Sequence, residues 1–251
     1  MKMVVIGGTG LIGSQLVTQL AQRGHEAVAA APSTGVNAIT GEGLASSIEG
    51  ADAVVDVTNA PSWDDQGVLD FFTTSTQNQL AAEKVAGVRH HVALSIVGAD
   101  REPDSGYLRA KFAQETSIKD SGMPYTIVRS TQFFEFIRHI AESAADGDTI
   151  RLTTALLQPI AAEDVVQLLC ETTTAPATNE VIEIGGPETI ALDELGRRAL
   201  AHAGDTRVVV ADPEAEYFGA RIKAGSFVPG ANARLGTLRF DDWLSDATVA
   251  R

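Results

Sequence analysis

The sequence has one cysteine, Cys170, and no apolar run long enough to cross a membrane. A single cysteine cannot form an internal disulfide and has no partner for a zinc site, so a reducing compartment is the simplest setting. A membrane span needs roughly 18 consecutive apolar residues, and no basic leader precedes the first apolar run at Met3. These absences predict a cytoplasmic protein with no metal site and no membrane contact.

Basic residues are also scarce, since 19 Lys and Arg stand against 33 Asp and Glu and give a net charge of −14. A chain of this sign repels a phosphate backbone, which disfavours nucleic-acid binding. The acidic residues are spread along the chain, as on an ordinary solvated surface. We therefore expect a small-molecule substrate as the partner, and the choice between monomer and homo-oligomer stays open.

The first part of the chain alternates short apolar runs with segments of helical periodicity. This alternation is typical of a parallel sheet with helices on both faces, whose ligands bind at the carboxyl ends of the strands. We predict an α/β fold, a Rossmann-type doubly wound parallel sheet with a small C-terminal substrate lobe. The predicted strands are Met3 to Ile6, Glu26 to Ala31, Ala53 to Val57, Val92 to Val97 and Tyr125 to Val128, and the helices are Leu11 to Leu20, Asp65 to Ala86 and Tyr107 to Ser121.

A glycine-rich segment leaves the first predicted strand and opens the first predicted helix. Two glycine registers fit it, GxxGxxG from Gly7 and GxGxxG from Gly8, and either allows the backbone to approach a pyrophosphate closely. The amides at the helix start would then point at the phosphates. This predicts a nicotinamide dinucleotide site whose contacts include Gly7, Thr9, Gly10, Leu11, Ile12 and Gly13.

The choice between the two nicotinamide coenzymes depends on the end of the second strand, which reads Ala31-Pro32-Ser33-Thr34. NAD users usually carry an acidic residue there, and this sequence has none to repel a 2′-phosphate. Ser33 and Thr34 offer hydrogen bonds to that phosphate, although no Arg or Lys is present to neutralise it. We predict NADP, with NAD possible, and an ordinary turn after Pro32 is the alternative reading of both side chains.

From residue 151 onward the pattern changes to short apolar pieces, such as Val181 to Ile184 and Val208 to Val210, separated by Gly and Pro turns. We predict an NAD(P)-binding Rossmann domain at residues 1–150. A smaller substrate-binding lobe at residues 151–251 would pack on it.

Tyr107 and Lys111 form a YxxxK pair, which a helix places on one face. A neighbouring ammonium favours the phenolate, so Lys111 would bring the tyrosine into the range of acid-base chemistry. Ser95, at the end of a predicted strand, would hold the same substrate oxygen. The three are our candidate catalytic residues, and the alternatives are a helix-surface pair and a strand-end serine.

The substrate pocket is predicted from the segment that follows Arg129, where Gln132, Phe133 and Phe134 lie at the ligand edge of the sheet. Trp63, in the loop after the Ala53 to Val57 strand, is a further candidate for the pocket wall. Clustered aromatic side chains suggest an apolar ligand. The alternative for the phenylalanines is core packing of a helix, and for Trp63 it is loop packing.

These motifs resemble the short-chain dehydrogenase/reductases, specifically the atypical branch of NmrA-like and isoflavone-reductase-like proteins. The resemblance implies that Thr58 and Asn59 pass beside the cofactor and that Lys111 contacts the nicotinamide ribose. In the isoflavone-reductase-like enzymes the lysine is the key group, and here only 11 residues separate Ser95 from Tyr107, a shorter interval than in most active members. The segments that carry the resemblance are Gly7 to Gly13, Gly50 to Val55, Gly122 to Arg129 and Gln158 to Val165.

We therefore predict an NAD(P)H-dependent oxidoreductase that reduces a carbonyl, quinone or activated double bond of a small apolar substrate. One alternative is an NmrA-like redox sensor that binds the dinucleotide without catalysis. A third possibility is an isomerase or dehydratase that retains its NAD.

Overall fold

The structure is a computed structural model that describes residues 1–217, 220–223 and 225–246. The helices are α1 (Leu11–Gln22), α2 (Leu44–Ile48), α3 (Asp65–Ala86), α4 (Gly106–Asp120), α5 (Phe134–Ser143), α6 (Ala162–Thr174), α7 (Leu192–His202) and α8 (Phe240–Ser245), with a 3₁₀ turn at Pro32–Thr34. The strands are β1 (Lys2–Ile6), β2 (Glu26–Ala30), β3 (Ala53–Asp56), β4 (His90–Ile96), β5 (Tyr125–Ser130), β6 (Ala145–Asp146), β7 (Thr149–Leu152), β8 (Leu156–Leu157), β9 (Glu180–Gly185), β10 (Ile190–Ala191), β11 (Val208–Ala211) and β12 (Arg234–Leu235).

Within the described residues, the central sheet has seven strands in the order β12-β9-β5-β4-β3-β1-β2. Strand β1 pairs in parallel with β2 and β3, and β3 pairs in parallel with β4. The smaller sheets are β10-β8 and β11-β7-β6. The prediction of a Rossmann-type parallel sheet is confirmed.

The local sequence explains the first β-α unit. Met3 to Ile6 is a continuous apolar run whose side chains are all buried, as a strand covered on both faces of a parallel sheet requires. Helix α1 buries Ile12, Leu16 and Leu20, which recur every four residues and so lie on one face. The apolar face holds the start of α1 against the sheet.

The register of the central strands brings three chain segments to one edge. Ile6 at the end of β1 lies beside Ala30 of β2 and Asp56 of β3, and Asp56 in turn lies beside Ala93 of β4. The residues that follow these positions therefore leave the sheet together at the carboxyl edge, where ligands bind in open parallel sheets.

The chain divides into two compact units, each of which is built from two separate stretches of the sequence. One unit is Met1–Arg129 with Val165–Ile182, and the other is Ser130–Asp164 with Glu183–Arg251. The assignment of a coenzyme domain to residues 1–150 and a substrate lobe to 151–251 stays a prediction. Of that lobe, residues 218, 219, 224 and 247–251 lie outside the described part of the chain.

Candidate functional site

The glycine segment forms a turn that leaves no room for side chains at several positions. Gly7 has φ +83°, a left-handed conformation that glycine adopts without strain, and its amide donates to Ala30 O at 2.8 Å. A β-carbon on Gly8 would lie 2.7 Å from Val5 O, and one on Gly13 would lie 2.2 Å from Gly7 O. Glycine is thus required by the backbone packing of the loop itself.

The loop ends at the N-terminus of α1. Gly10 is the N-cap of the helix and has no side chain that would bond to the first amides, while its own amide donates to Gly7 O at 3.0 Å. The amides of Leu11, Ile12 and Gly13 belong to the first turn, where no intrahelical acceptor exists. Such a turn binds an anion through its amides and the helix dipole. The exposed Thr9 and Gly10 leave this end open to solvent.

Ser33 and Thr34 have different surroundings, although they are neighbours in the 3₁₀ turn. The Thr34 hydroxyl accepts from Ala31 N at 2.9 Å and lies 3.0 Å from both Ala29 O and Ala31 O, so it stabilises the turn. The Ser33 hydroxyl is exposed and donates to Thr9 Oγ1 at 3.4 Å, which places it beside the glycine loop. Ser33 is the better placed of the two to contact a ligand there.

The end of β3 continues the site. A β-carbon on Gly7 would lie 3.1 Å from Thr58 N, so the glycine loop packs directly on this segment. The exposed Asn59 accepts at its Oδ1 from Ala60 N at 3.0 Å and from the Tyr107 hydroxyl at 3.2 Å. The structure therefore brings the predicted cofactor residues Thr58 and Asn59 together with the glycine loop and with Tyr107.

Tyr107 is partly buried in an aromatic cluster. Its ring packs edge-on against Phe72, with centroids 6.0 Å apart, and is tilted against Trp63, with centroids 5.6 Å apart. Burial raises the pKa of Tyr107 to about 12. The predicted effect, a pKa lowered by Lys111, is not met in this structure, because burial dominates and the ammonium of Lys111 has other partners.

Lys111 is buried, with 3% of its surface exposed, and its ammonium points toward the sheet. The Nζ atom donates to Leu94 O at 2.9 Å and to Gln114 Oε1, and it lies 4.2 Å from the centroid of the Phe72 ring. All three partners fix the position of the cation beneath the carboxyl edge of β4.

The pKa of Lys111 reflects two opposing effects. Burial lowers it to about 8, while the carboxylates of Asp56 and Glu115 favour the charged form. The pKa of Lys111 is therefore well below that of an ordinary lysine, which is a common property of lysines in functional sites.

Ser95 takes part in a buried ion-pair network. Its hydroxyl donates to Glu115 Oε1 at 2.7 Å, and the same carboxylate binds Arg129 through Nε at 2.8 Å and Nη2 at 2.7 Å. Arg129 Nη1 also lies 2.7 Å from Asp100 Oδ2. The Ser95 proton is thus engaged with Glu115, whereas the Tyr107 hydroxyl is engaged with Asn59, so the structure gives the two hydroxyls separate partners.

Sequence reasoning missed the polar network under the site. Asp56 is buried and accepts from Thr58 Oγ1 at 2.7 Å, from Gln79 Nε2 at 3.1 Å and from Gln114 Nε2 at 2.9 Å. Gln114 therefore links Asp56 to Lys111. The sequence of α3 carries a signal of this network, because polar side chains that are buried in the structure recur there at a helical spacing: Ser75, Thr76, Gln79 and Glu83. Glu83 also bonds to the buried His91.

The three predicted substrate-pocket residues after β5 have different surroundings in the structure. Phe134 is 2% exposed and its ring packs against Phe240, with centroids 5.1 Å apart, in the core of its unit. Phe133 stacks on Phe136 at 5.7 Å, and Phe136 is 46% exposed. Gln132 is buried, and neither of its amide atoms has a hydrogen-bond partner among the described residues.

Among the described residues, no helix is long and apolar enough to cross a membrane. No group of three or more His, Cys, Asp or Glu side chains there is placed to hold a metal ion.

A family model described as NAD(P)H-binding matches residues 7–176. The photosystem II assembly factor Ycf39 of Synechocystis sp. is 27% identical over 149 residues, which cover 54% of this chain and 46% of that protein. The (4-alkanoyl-5-oxo-2,5-dihydrofuran-3-yl)methyl phosphate reductase of Streptomyces griseus is 32% identical over 144 residues, which cover 52% of this chain and 47% of that protein. The divinyl chlorophyllide a 8-vinyl-reductase of Cucumis sativus is 26% identical over 224 residues, which cover 74% of this chain and 53% of that protein. The chain spans about half the length of these relatives.

Solved structures give the same fold. A short-chain dehydrogenase/reductase superfamily protein from Agrobacterium tumefaciens with bound NAD has a TM-score of 0.74 at 18% identity, covering 100% of this chain and 97% of that one. The NADPH-dependent quinone oxidoreductase QOR2 of Escherichia coli, complexed with NADPH, has a TM-score of 0.67 at 19% identity. The match covers 84% of this chain and 79% of that one. At these identities the likeness establishes architecture alone.

Proposed function

This chain belongs to the NAD(P)H-binding family, its motifs resemble the atypical short-chain dehydrogenase/reductases, and on that premise we propose that it is a reductase. The substrate would be a small apolar compound with a carbonyl, quinone or activated double bond. The observation that carries the proposal is the glycine loop, where backbone packing excludes side chains at Gly8 and Gly13 and an uncapped helix start follows. Two relatives with reductase in their names support the choice of reaction.

The residues present fit a dinucleotide. The first-turn amides of α1 would hold the diphosphate, and Ser33 with Thr9 would contact the adenosine ribose. Asn59 and Lys111 would lie toward the nicotinamide end, since Asn59 follows the Thr58 segment that packs on the glycine loop and bonds to Tyr107, while Lys111 underlies the same edge. When bound, the reduced coenzyme supplies a hydride.

The chain's own contribution is a proton. With a pKa of about 12, Tyr107 stays protonated at neutral pH, so its hydroxyl holds a proton that it would give to the carbonyl oxygen as the carbonyl is reduced. The hydroxyl would turn from Asn59 to the substrate oxygen. Lys111 would add positive charge beneath the site and hold the ribose. Ser95 would assist only by accepting a hydrogen bond, because its own proton is given to Glu115.

The proposal is tested by titrating NADPH and NADH against the purified protein and screening ketones and quinones for coenzyme oxidation. We expect Tyr107→Phe, which keeps the ring packing, to lower kcat about 100-fold, the usual size of a lost general acid. Turnover that is unaffected by both Tyr107→Phe and Lys111→Ala would refute the assigned site. The absence of coenzyme binding would refute the proposal as a whole.

A second candidate function is a dinucleotide-dependent regulator or assembly factor. It is favoured by the likeness to Ycf39, whose name describes assembly and no reaction. Tight coenzyme binding with no turnover on any tested carbonyl or quinone would support it over the reductase.

The preference between coenzymes offers a separate prediction. Residues 29–35 carry no charged side chain, and Ser33 is exposed beside Thr9. We expect Ser33→Arg to lower the dissociation constant of NADPH about tenfold by pairing a guanidinium with the 2′-phosphate, and to leave that of NADH unchanged. Isothermal titration with each coenzyme measures this. Equal tightening of both would mean that residue 33 does not face the 2′-position.

A further inference from the structure

Asp56 is a buried carboxylate that is held by neutral groups. Only 1% of its surface is exposed. Its Oδ1 atom accepts from the Thr58 amide at 2.9 Å and from the Thr58 hydroxyl at 2.7 Å, while Oδ2 accepts from Gln79 Nε2 at 3.1 Å and from Gln114 Nε2 at 2.9 Å. None of these donors carries a charge, so the negative charge of Asp56 is left to act on a cation nearby.

Gln114 links this carboxylate to Lys111. Because an ionised carboxylate only accepts hydrogen bonds, Asp56 fixes the amide of Gln114 with Nε2 toward it. The amide oxygen of Gln114 then lies on the other side and accepts from Lys111 Nζ. Gln114 is 1% exposed, so bulk water does not compete for either atom. The acceptor that Lys111 meets is therefore set by Asp56.

Glu115 is the second carboxylate that favours the charged form of Lys111, but it already has a cation of its own. Arg129 binds it through Nε at 2.8 Å and Nη2 at 2.7 Å, and the Ser95 hydroxyl donates to it at 2.7 Å. Asp56 has neutral donors instead. Its charge is therefore the larger influence on the ammonium of Lys111.

The other titratable groups packed around this network can be told apart from Lys111. Glu83 of α3 bonds to His91 of β4, with 2.9 Å between Glu83 Oε1 and His91 Nδ1, and an imidazole gives NMR signals separate from those of a lysine. Tyr107, one turn before Lys111 on α4, has its pKa raised by burial to about 12. It stays neutral through the range in which Lys111 titrates.

We propose that Asp56 is a positioning residue that holds Lys111 charged and in place through Gln114. The other oxygen of Asp56 fixes Thr58, whose amide nitrogen would lie 3.1 Å from a β-carbon on Gly7 of the glycine loop. One buried carboxylate thus sets two predicted coenzyme contacts, Thr58 and Lys111. The importance of this arrangement for hydride transfer rests on the proposed function, whereas the control of the Lys111 charge does not.

The charge of Lys111 is measured by NMR in the ligand-free protein. The sequence has five lysines, so ¹³C labelling at Cε gives few signals, and the signal missing from Lys111→Met identifies Lys111. We expect Asp56→Asn to lower the midpoint of the Lys111 titration by about one pH unit, because it removes a nearby opposite charge. Asparagine keeps the size of the side chain, and its oxygen still accepts from Thr58.

Exchanging the two groups is the rescue. In the double variant Asp56→Asn with Gln114→Glu, the carboxylate contacts Lys111 directly and the amide now at position 56 donates to it, so the midpoint should return to at least its original value. Gln79→Leu is the matched control, because it removes a donor from the same Oδ2 atom and keeps both the charge and the link. It should lower Tm by about 3 °C and leave the Lys111 midpoint unchanged.

An equal Lys111 midpoint in Asp56→Asn and in the unmodified protein would overturn the proposal, as would a lowered midpoint that the exchange does not restore. Gln114→Leu covers the case in which Asp56→Asn does not fold, since it breaks the link and should also lower the midpoint; no change there would equally refute the proposal. The alkaline limb of kcat/KM for NADPH should move with the NMR midpoint. A midpoint that moves in a protein without turnover would refute the reductase and leave the role of Asp56 intact.

Discussion

Replacing Gly10 with alanine should raise the dissociation constant of NADPH by about 10- to 100-fold and leave Tm unchanged. The loop itself tolerates the substitution, because φ at Gly10 is −80° and a β-carbon there would meet only Gly7 O, at an ordinary contact distance of 3.4 Å. The new methyl group would instead occupy the open side of the loop, where the diphosphate must approach the backbone. Overpacking of this kind costs about 1–3 kcal/mol, which gives the expected range.

Gly13→Ala is the matched control with a different signature. A β-carbon at this position would lie 2.2 Å from Gly7 O and 2.7 Å from Gly8 Cα, so the start of α1 must shift in the protein itself. Tm and coenzyme affinity should fall together. Calorimetric titration and thermal unfolding of both variants measure the two effects. Unchanged NADPH affinity in Gly10→Ala would show that the diphosphate does not bind at this loop.

The sequence predicts the helices and strands of the N-terminal part of the chain well, because periodicity and glycine spacing are local signals. The helix predicted at Asp65 to Ala86 has those bounds in the structure, and the glycine segment joins β1 to α1 as expected. The 3₁₀ turn after Ala31 and the short helix α2 lie in a segment without periodic apolar residues, which pattern reasoning does not assign.

Side-chain partners are the part that the sequence does not predict. Tyr107 and Lys111 do lie one turn apart on α4, but their polar atoms bond to Asn59 and to Leu94 O, which are distant in sequence. The same holds for Ser95, whose partner Glu115 is also bound by Arg129. Helical spacing fixes a shared face, whereas the tertiary packing decides where each polar group points.

Lys111→Met should lower kcat/KM about 100- to 1,000-fold while the protein stays folded, since the loss of a positioned charged group costs this much in acid-base and electrostatic catalysis. Methionine is close to the lysine stem in length, and it removes the ammonium that lies over the Phe72 ring. Lys84→Met, an exposed lysine near the end of α3, is the control that should leave the rate unchanged. A Lys111→Met enzyme as active as the control would remove Lys111 from the site.

The pH dependence follows from the same residue. The ammonium of Lys111 exists below its pKa of about 8, so the charge is lost as the pH rises through that value. The kcat/KM for NADPH, which reports the free enzyme, should therefore fall tenfold per pH unit above about pH 8. Phosphates of the bound coenzyme favour the cation, so the corresponding limb of kcat should lie at higher pH. In Lys111→Met this alkaline limb should disappear, whereas a limb that persists would have to come from another group.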